Sequence, residues 1–209
     1  MSDANVDARA ALERAIRERC EAGDFDRATA TALRGYGPEL FGFLVSILRG
    51  PDPAAEAFSL LGEDIWRGLP KFGWGSSFRT WAYTLARNAA SRYGKGQHRR
   101  DRGRAPVSQL SVELAAEVRS ATATYLRTEQ KDRFTALREA LPEEDQTLLI
   151  LRVDRGLAWE DLARVMLDDP DATPEALKRE SARLRKRFQL VKEKLLELGR
   201  EAGLVGGDD

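Results

Sequence analysis

The sequence predicts an all-α protein built from two small helical units joined by a flexible linker. Apolar residues recur at steps of three and four, the spacing of one helix face, and no window alternates as a half-buried strand would. Residues 94–107, GKGQHRRDRGRAPV, break that pattern with three Gly, one Pro and no apolar periodicity, as a flexible joint does. At 209 residues the chain is one full domain or two small ones, given about 150 residues per domain. Its 42% apolar content suits small cores better than a large buried sheet.

The elements follow in chain order. Residues 1–30 form a mixed-charge helix with Val6, Ala10, Ile16 and Cys20 roughly aligned; packing on the next unit is the preferred reading and a regulatory role the alternative. Residues 31–49 place Leu33, Leu40, Phe41, Leu44, Ile47 and Leu48 on one helical face, and Gly50, Pro51 and Pro53 are expected to end the helix. Ala54, Phe58, Leu61, Ile65 and Leu69 predict a second amphipathic helix, stopped at Pro70. Ser76 or Ser77 then caps a third helix. Its apolar stripe is Phe78, Trp81, Ala82, Leu85, Ala86 and Ala89, and its polar face carries Arg79, Thr80, Tyr83, Thr84, Arg87, Asn88, Ser91 and Arg92.

Beyond the joint, residues 110–140 are weakly amphipathic and partly linker. A compact helical unit opens at Leu141-Pro142, with Leu148, Leu149, Leu151 and Val153 as its first apolar face. Gly156 is the expected left-handed cap. Trp159, Leu162, Ala163 and Met166 mark a short helix, residues 168–173 a polar turn, and Thr173-Pro174 the start of a long helix to about Leu198. That helix turns Leu177, Leu184, Phe188, Val191 and Leu195 inward and most of its cations outward. Helix, Gly turn, short helix, turn and basic helix is the order of a helix-turn-helix reader.

Charge is segregated. Lys and Arg number 34, as do Asp and Glu, so the net charge is zero. Yet residues 84–104 carry +6 and residues 178–194 another +6, leaving −12 on the rest. Two basic segments on an acidic body point to two contacts with a polyanion and a separate surface for a protein partner. A solvated helix face balanced by nearby carboxylates is the alternative for each run. A single Cys excludes an intrachain disulfide. The longest apolar stretch, Phe41 to Leu48, is far below the roughly 18 residues of a membrane span. The expectation is a soluble, cytoplasmic chain with no membrane association. Neither His98, in a basic joint, nor Cys20 has the neighbours of a catalytic or metal site, so no enzyme activity, metal or cofactor is expected.

Each half suits a different form of DNA. A helix about 10–12 Å across fits the major groove, about 12 Å wide. Arg183, Lys186, Arg187 and Gln189 can offer donors to base edges while neighbouring cations meet phosphates. In the first half, KFGWGSSFRTWAY (71–83) sets aromatic rings beside cations. Rings stack on unpaired bases for about 1–3 kcal/mol each, comparable with the cost of extruding a base. Phe78 is read as core and Trp81 as shared between core and DNA, with Trp74, Arg79 and Tyr83 as the better contacts.

The runs ELFGFLVSILRG (39–50), AAEAFSLLGEDIWRGLPKF (54–72) and above all SSFRTWAYTLARNAASRY (76–93) resemble region two of bacterial RNA polymerase sigma factors of the extracytoplasmic function group, in the sigma-70 family. LPEEDQTLLILRVDRGLAWEDLARVM (141–166) with RLRKRFQLVKEKLLEL (183–198) resembles their region four. The resemblance divides the chain into an N-terminal helical extension (1–30), a region-two-like domain (31–103), a linker (104–130) and a region-four-like helix-turn-helix domain (131–209).

It implies core RNA polymerase and promoter DNA, both duplex and melted, as partners, with an anti-sigma factor as inhibitor. Polymerase binding maps to Glu56, Phe58, Asp64, Ile65, Trp66 and Leu69. Capture of the minus-ten strand maps to Lys71, Phe72, Gly73, Trp74, Gly75, Ser76 and Ser77, and along the next helix to Arg79, Thr80, Trp81, Tyr83, Arg87 and Asn88. Arg92, Lys95, Arg99 and Arg100 approach duplex phosphates. Lys178, Arg179, Arg183, Lys186, Arg187 and Gln189 form the minus-thirty-five reader. Two features depart from the family pattern: LDDPDATPEALKRES makes a longer turn after Met166, and Gly73-Trp74-Gly75 stands where a more polar stretch is common. The runner-up reading is a stand-alone helix-turn-helix regulator that binds duplex DNA without joining polymerase; a scaffold with no nucleic-acid role is the third.

Overall fold

The computed structural model describes residues 3–96 and 133–204. The chain divides into two compact units, Met1–Leu126 and Arg127–Asp209. Among the described residues there is no strand, in keeping with the all-α expectation.

The first unit holds helices α1 (Asp3–Glu21), α2 (Phe25–Leu48), α3 (Pro51–Gly68) and α4 (Phe78–Gly94), with a 3₁₀ turn at Leu69–Lys71. Helix α2 begins six residues before the expected start at residue 31 because Asp24 caps it, its carboxylate accepting from the Arg27 N–H at 3.1 Å. It ends on Arg49, in the left-handed conformation at φ 57°. Pro51 and Pro53 therefore do not end α2, as the sequence suggested; Pro51 opens α3 at a first-turn position where a missing N–H costs nothing.

Helices α2, α3 and α4 pack on one another around Leu33, Leu40, Phe43, Phe58, Leu61 and Phe78, all buried. Edge-to-face ring pairs lock the helices together: Phe41 on Phe58 at 5.6 Å and Phe43 on Tyr83 at 5.5 Å. Helix α1 packs on α2 by the fully buried Ile16, and a Cβ at Gly35 would stand 2.3 Å from Leu12 Cδ2. Glycine at that position is what lets the two helices close.

The second unit holds α5 (Arg133–Glu139), α6 (Glu143–Leu149), which runs on as a π-helical turn at Ile150–Asp154, α7 (Trp159–Leu167) and α8 (Pro174–Glu201). Gly156 is left-handed at φ 66°, as its position after the first apolar face predicts. Val153 is 54% exposed, against its expected place on the apolar face, because the π turn shifts it off the buried row of Leu148 and Leu151. Thr173 caps α8, accepting from the Ala176 N–H at 3.2 Å. Leu162, Val165, Leu177 and Leu184 bury α7 against α8, and the Ser181 hydroxyl donates to the Trp159 carbonyl at 3.1 Å. Lower down, Leu141, Leu149 and Val191 form a second cluster with Phe188, Leu195 and Leu198.

Candidate nucleic-acid interface

The loop before α4 is built from rings. Phe72 lies face to face with Trp81, centroids 4.6 Å apart at 19°, and its other neighbour is Trp74 at 4.8 Å. Trp74 holds φ 56°, a left-handed conformation uncommon for a bulky residue and worth a physical reason. Ser77 is the cap of α4, its hydroxyl accepting from the Thr80 N–H at 3.0 Å. Lys71, Gly73, Gly75 and Ser77 are exposed, and Phe72, Trp74, Ser76 and Trp81 half-buried, so the loop offers ring edges and a cation to solvent.

Helix α4 departs from its expected division into faces. Phe78 is buried, as expected. Tyr83 and Thr80 are buried too, although the sequence put both on the polar face: Tyr83 packs on Phe43, and Thr80 lies under the Ser77 cap, 2.8 Å between hydroxyls. The α2–α4 contact claims a second stripe of α4 because the alanines at 82, 86, 89 and 90 bring the helix close enough to be covered on both sides. Arg79 is half-buried and committed to Glu39 through two parallel bonds, Nε–Oε1 at 2.7 Å and Nη2–Oε2 at 3.0 Å. Its guanidinium also lies 5.3 Å from the Tyr83 ring centroid. Arg79 thus serves as an internal strut rather than as an open cation. Arg87 and Asn88 remain half-exposed along α4.

The duplex candidates divide similarly. Arg92 is ion-paired with Asp64 of α3, while Lys95 is exposed; Arg99 and Arg100 lie outside the described residues. Burial pushes the Asp64 carboxyl above its usual range, with Arg92 opposing it.

Of the six residues mapped to polymerase binding, Phe58, Ile65 and Leu69 are at most 2% exposed and belong to the core. They carry the apolar face of α3, and an amphipathic helix buries the stripe that makes it amphipathic. Trp66 is 46% exposed and donates from Nε1 to Asp26 Oδ1 at 2.7 Å, over a shallow groove that includes Phe25, Arg67 and Pro70. Glu56 and Asp64 are half-buried on the same helix, Asp64 facing Arg92 of α4.

On α8, Lys178, Arg179, Lys186 and Gln189 are exposed, and their spacing along the helix sets them on one outward stripe. Arg183 is bonded to Glu180 of its own helix, 2.8 Å at Nε and 2.6 Å at Nη2. Arg187 reaches back to Asp145 and Glu144 at the start of α6. Those carboxylates take the guanidinium out of the open stripe and tie α8 to α6. Trp159 is flanked by Arg152 at 4.6 Å and Arg185 at 5.7 Å, a cation–π cluster that the sequence reading did not single out.

Sequence reasoning also missed Glu13 and Glu39. Glu13 accepts hydrogen bonds from the Phe78 N–H at 2.8 Å, the Arg79 N–H at 3.0 Å and the Tyr36 hydroxyl at 2.8 Å. Its separation of 66 positions from Arg79 leaves no local signal. Among the described residues, no group of His, Cys, Asp and Glu is placed to hold a metal ion, and no helix is long and apolar enough to cross a membrane.

The candidate interface is thus an aromatic loop with a neighbouring cation on one helical unit, and a propped basic helix following a short helix on the other. Residues 32–103 match the family described as Sigma-70 region 2. The chain is 29% identical over 158 residues to the RNA polymerase sigma-H factor of Pseudomonas aeruginosa, which covers 71% of this chain and 79% of that relative. No solved structure matches significantly. Residues 32–103 thus carry the likeness to sigma-70 region 2, and the wider chain is similar to an RNA polymerase sigma factor.

Proposed function

We infer that this chain acts as a sigma factor of the extracytoplasmic function group, directing core RNA polymerase to promoters and assisting strand opening, in the cytoplasm. The observation that carries the reading is the pairing of the family match over residues 32–103 with an aromatic loop inside it that leaves Trp74 half-exposed and Lys71 exposed. The family match favours this reading over a stand-alone regulator.

The work divides between the two units. In the second unit, Lys178, Arg179, Lys186 and Gln189 line the stripe of α8 that enters the major groove at the minus-thirty-five element. Arg187 and Arg183 hold the helix to its supports instead of reading bases. In the first unit, the rings of Phe72 and Trp74 accept unpaired minus-ten bases by stacking, which is tolerant of base identity because every base has a π face. Arg87 and Asn88 follow the strand along α4, and Lys95 meets duplex phosphate. Polymerase docks on the exposed side of α3 that carries Trp66 and Glu56, and an anti-sigma factor would inhibit by covering one of these surfaces. Binding energy from polymerase and from both DNA contacts drives opening; no bond in the nucleic acid is made or broken by this chain.

Reconstituted transcription with core polymerase on a genomic fragment library tests the whole reading. Specific initiation that depends on the chain is expected, and the start sites give the promoter. Tight binding to duplex alone, with no association with core polymerase, would overturn it in favour of a stand-alone regulator.

A further inference from the structure

Helix α1 lies beside the strand-capture loop, and two of its side chains, one turn apart, face it. The Glu13 carboxylate accepts from the first N–H groups of α4 at 2.8 and 3.0 Å, close behind the Ser77 cap, and is itself held by the Tyr36 hydroxyl. The Arg17 guanidinium lies 5.3 Å from the ring centroid of Trp74, the last ring of the row Trp81, Phe72, Trp74. That row needs support from outside, because Trp74 is held at φ 56° and such a conformation persists only where the surroundings over-determine it.

We propose that α1 is a working part of the strand-capture surface, with Glu13 and Arg17 as positioning residues that hold the aromatic loop in its base-accepting arrangement before DNA arrives. The inference rests on the reading of residues 71–77 as the minus-ten loop. Three physical facts support it. A carboxylate on the first turn of a helix satisfies amide donors that would otherwise need water and complements the helix dipole. A cation over an indole face restrains the ring. A loop ordered in advance avoids the entropic cost of ordering on binding. Glu13 fixes one end of the loop at Phe78, and Arg17 fixes the ring farthest from the core.

The test uses the full chain assembled with core polymerase and compares Glu13→Gln, Arg17→Ala, Arg17→Lys and Trp74→Ala with the parent. Three quantities are read: assembly with core, permanganate reactivity of minus-ten thymines, and the ratio of opening between the parent promoter and single-base variants of its minus-ten element. Glu13→Gln is expected to lower reactivity about tenfold, the order that losing hydrogen bonds to a charged group costs, and Arg17→Ala about threefold, the order of an exposed cation–π contact. Base preference should flatten while assembly stays unchanged. Arg17→Lys, which keeps the cation, should restore both readouts. Unchanged opening in both α1 variants, or opening and assembly falling by one common factor, would overturn the proposal. If Trp74→Ala lowers opening and the α1 variants do not, α1 alone is excluded; if Trp74→Ala has no effect, the reading of the loop itself fails.

Discussion

Arg187 and Asp145, 42 positions apart, are bonded to each other, so a cation of α8 is spent on α6 of its own unit. Asp145 is nearly buried and Arg187 mostly covered, so the pair is not a loose surface contact. Arg187→Ala is expected to destabilise the second unit by about 1–3 kcal/mol, the cost of leaving a covered charge partner unbonded. Urea denaturation measures it, and the salt slope of duplex binding should be nearly that of the parent.

The exposed stripe should behave in the opposite way. Lys178→Ala and Lys186→Ala remove exposed cations from the stripe proposed to contact DNA, so each should flatten the log-log salt dependence of duplex binding by about 0.9 without altering stability. Electrophoretic shifts at several salt concentrations give the slope. A slope unchanged in both would place the DNA contact elsewhere.

Two aromatic residues of one segment should separate cleanly. Tyr83 is fully buried, so Tyr83→Ala opens a cavity and should cost about 3–5 kcal/mol of stability, in line with other large buried rings. Trp74→Ala removes a half-exposed ring and should leave the melting temperature nearly intact while reducing permanganate reactivity of promoter thymines. Thermal unfolding beside the permanganate assay distinguishes them.

Gly68 is where α3 ends under the Trp81 ring, and a Cβ there would fall 2.7 Å from Trp81 Cζ2. Gly68→Ala therefore has to tilt the ring and with it the stacked Phe72, at a cost of about 1–3 kcal/mol. The expected signs are altered intrinsic tryptophan emission and reduced opening with assembly intact.

The Cys20 thiol is pushed up by burial and by the neighbouring Glu21 charge. A raised thiol pKa leaves less thiolate at any pH below it, so alkylation by iodoacetamide at pH 8 should run slower than that of a free cysteine. Adding urea should restore the ordinary rate.

Local signals accounted for the helices and for most of their ends. Ser77 and Thr173 cap where a hydroxyl precedes an amphipathic run, and Gly156 turns left-handed where the apolar pattern stops. The errors have a common origin in packing between distant segments. Helix periodicity places Tyr83 and Thr80 opposite the Phe78 stripe, but nothing in that period says that α2 covers the second side. Arg79 and Arg187 read as open cations because Glu39 and Asp145 sit some forty positions away. Similarly, Phe58, Ile65 and Leu69 were assigned to a partner by motif position, whereas their apolar character already suited them to the core. Residue type therefore marks the candidate interface only as a stretch of chain, while the division of that stretch into buried, bonded and exposed side chains depends on neighbours brought in by the fold.

The Glu13 contacts also impose an order on synthesis. Tyr36, 23 positions on, is the first of its partners to be made, so a bond between the first two helices can form while α4 is still untranslated. Its remaining partners, at positions 78 and 79, come only after α2 and α3 have been made. Helix α1 can therefore bond to α2 before α4 is made, and gains its bonds to α4 only afterwards.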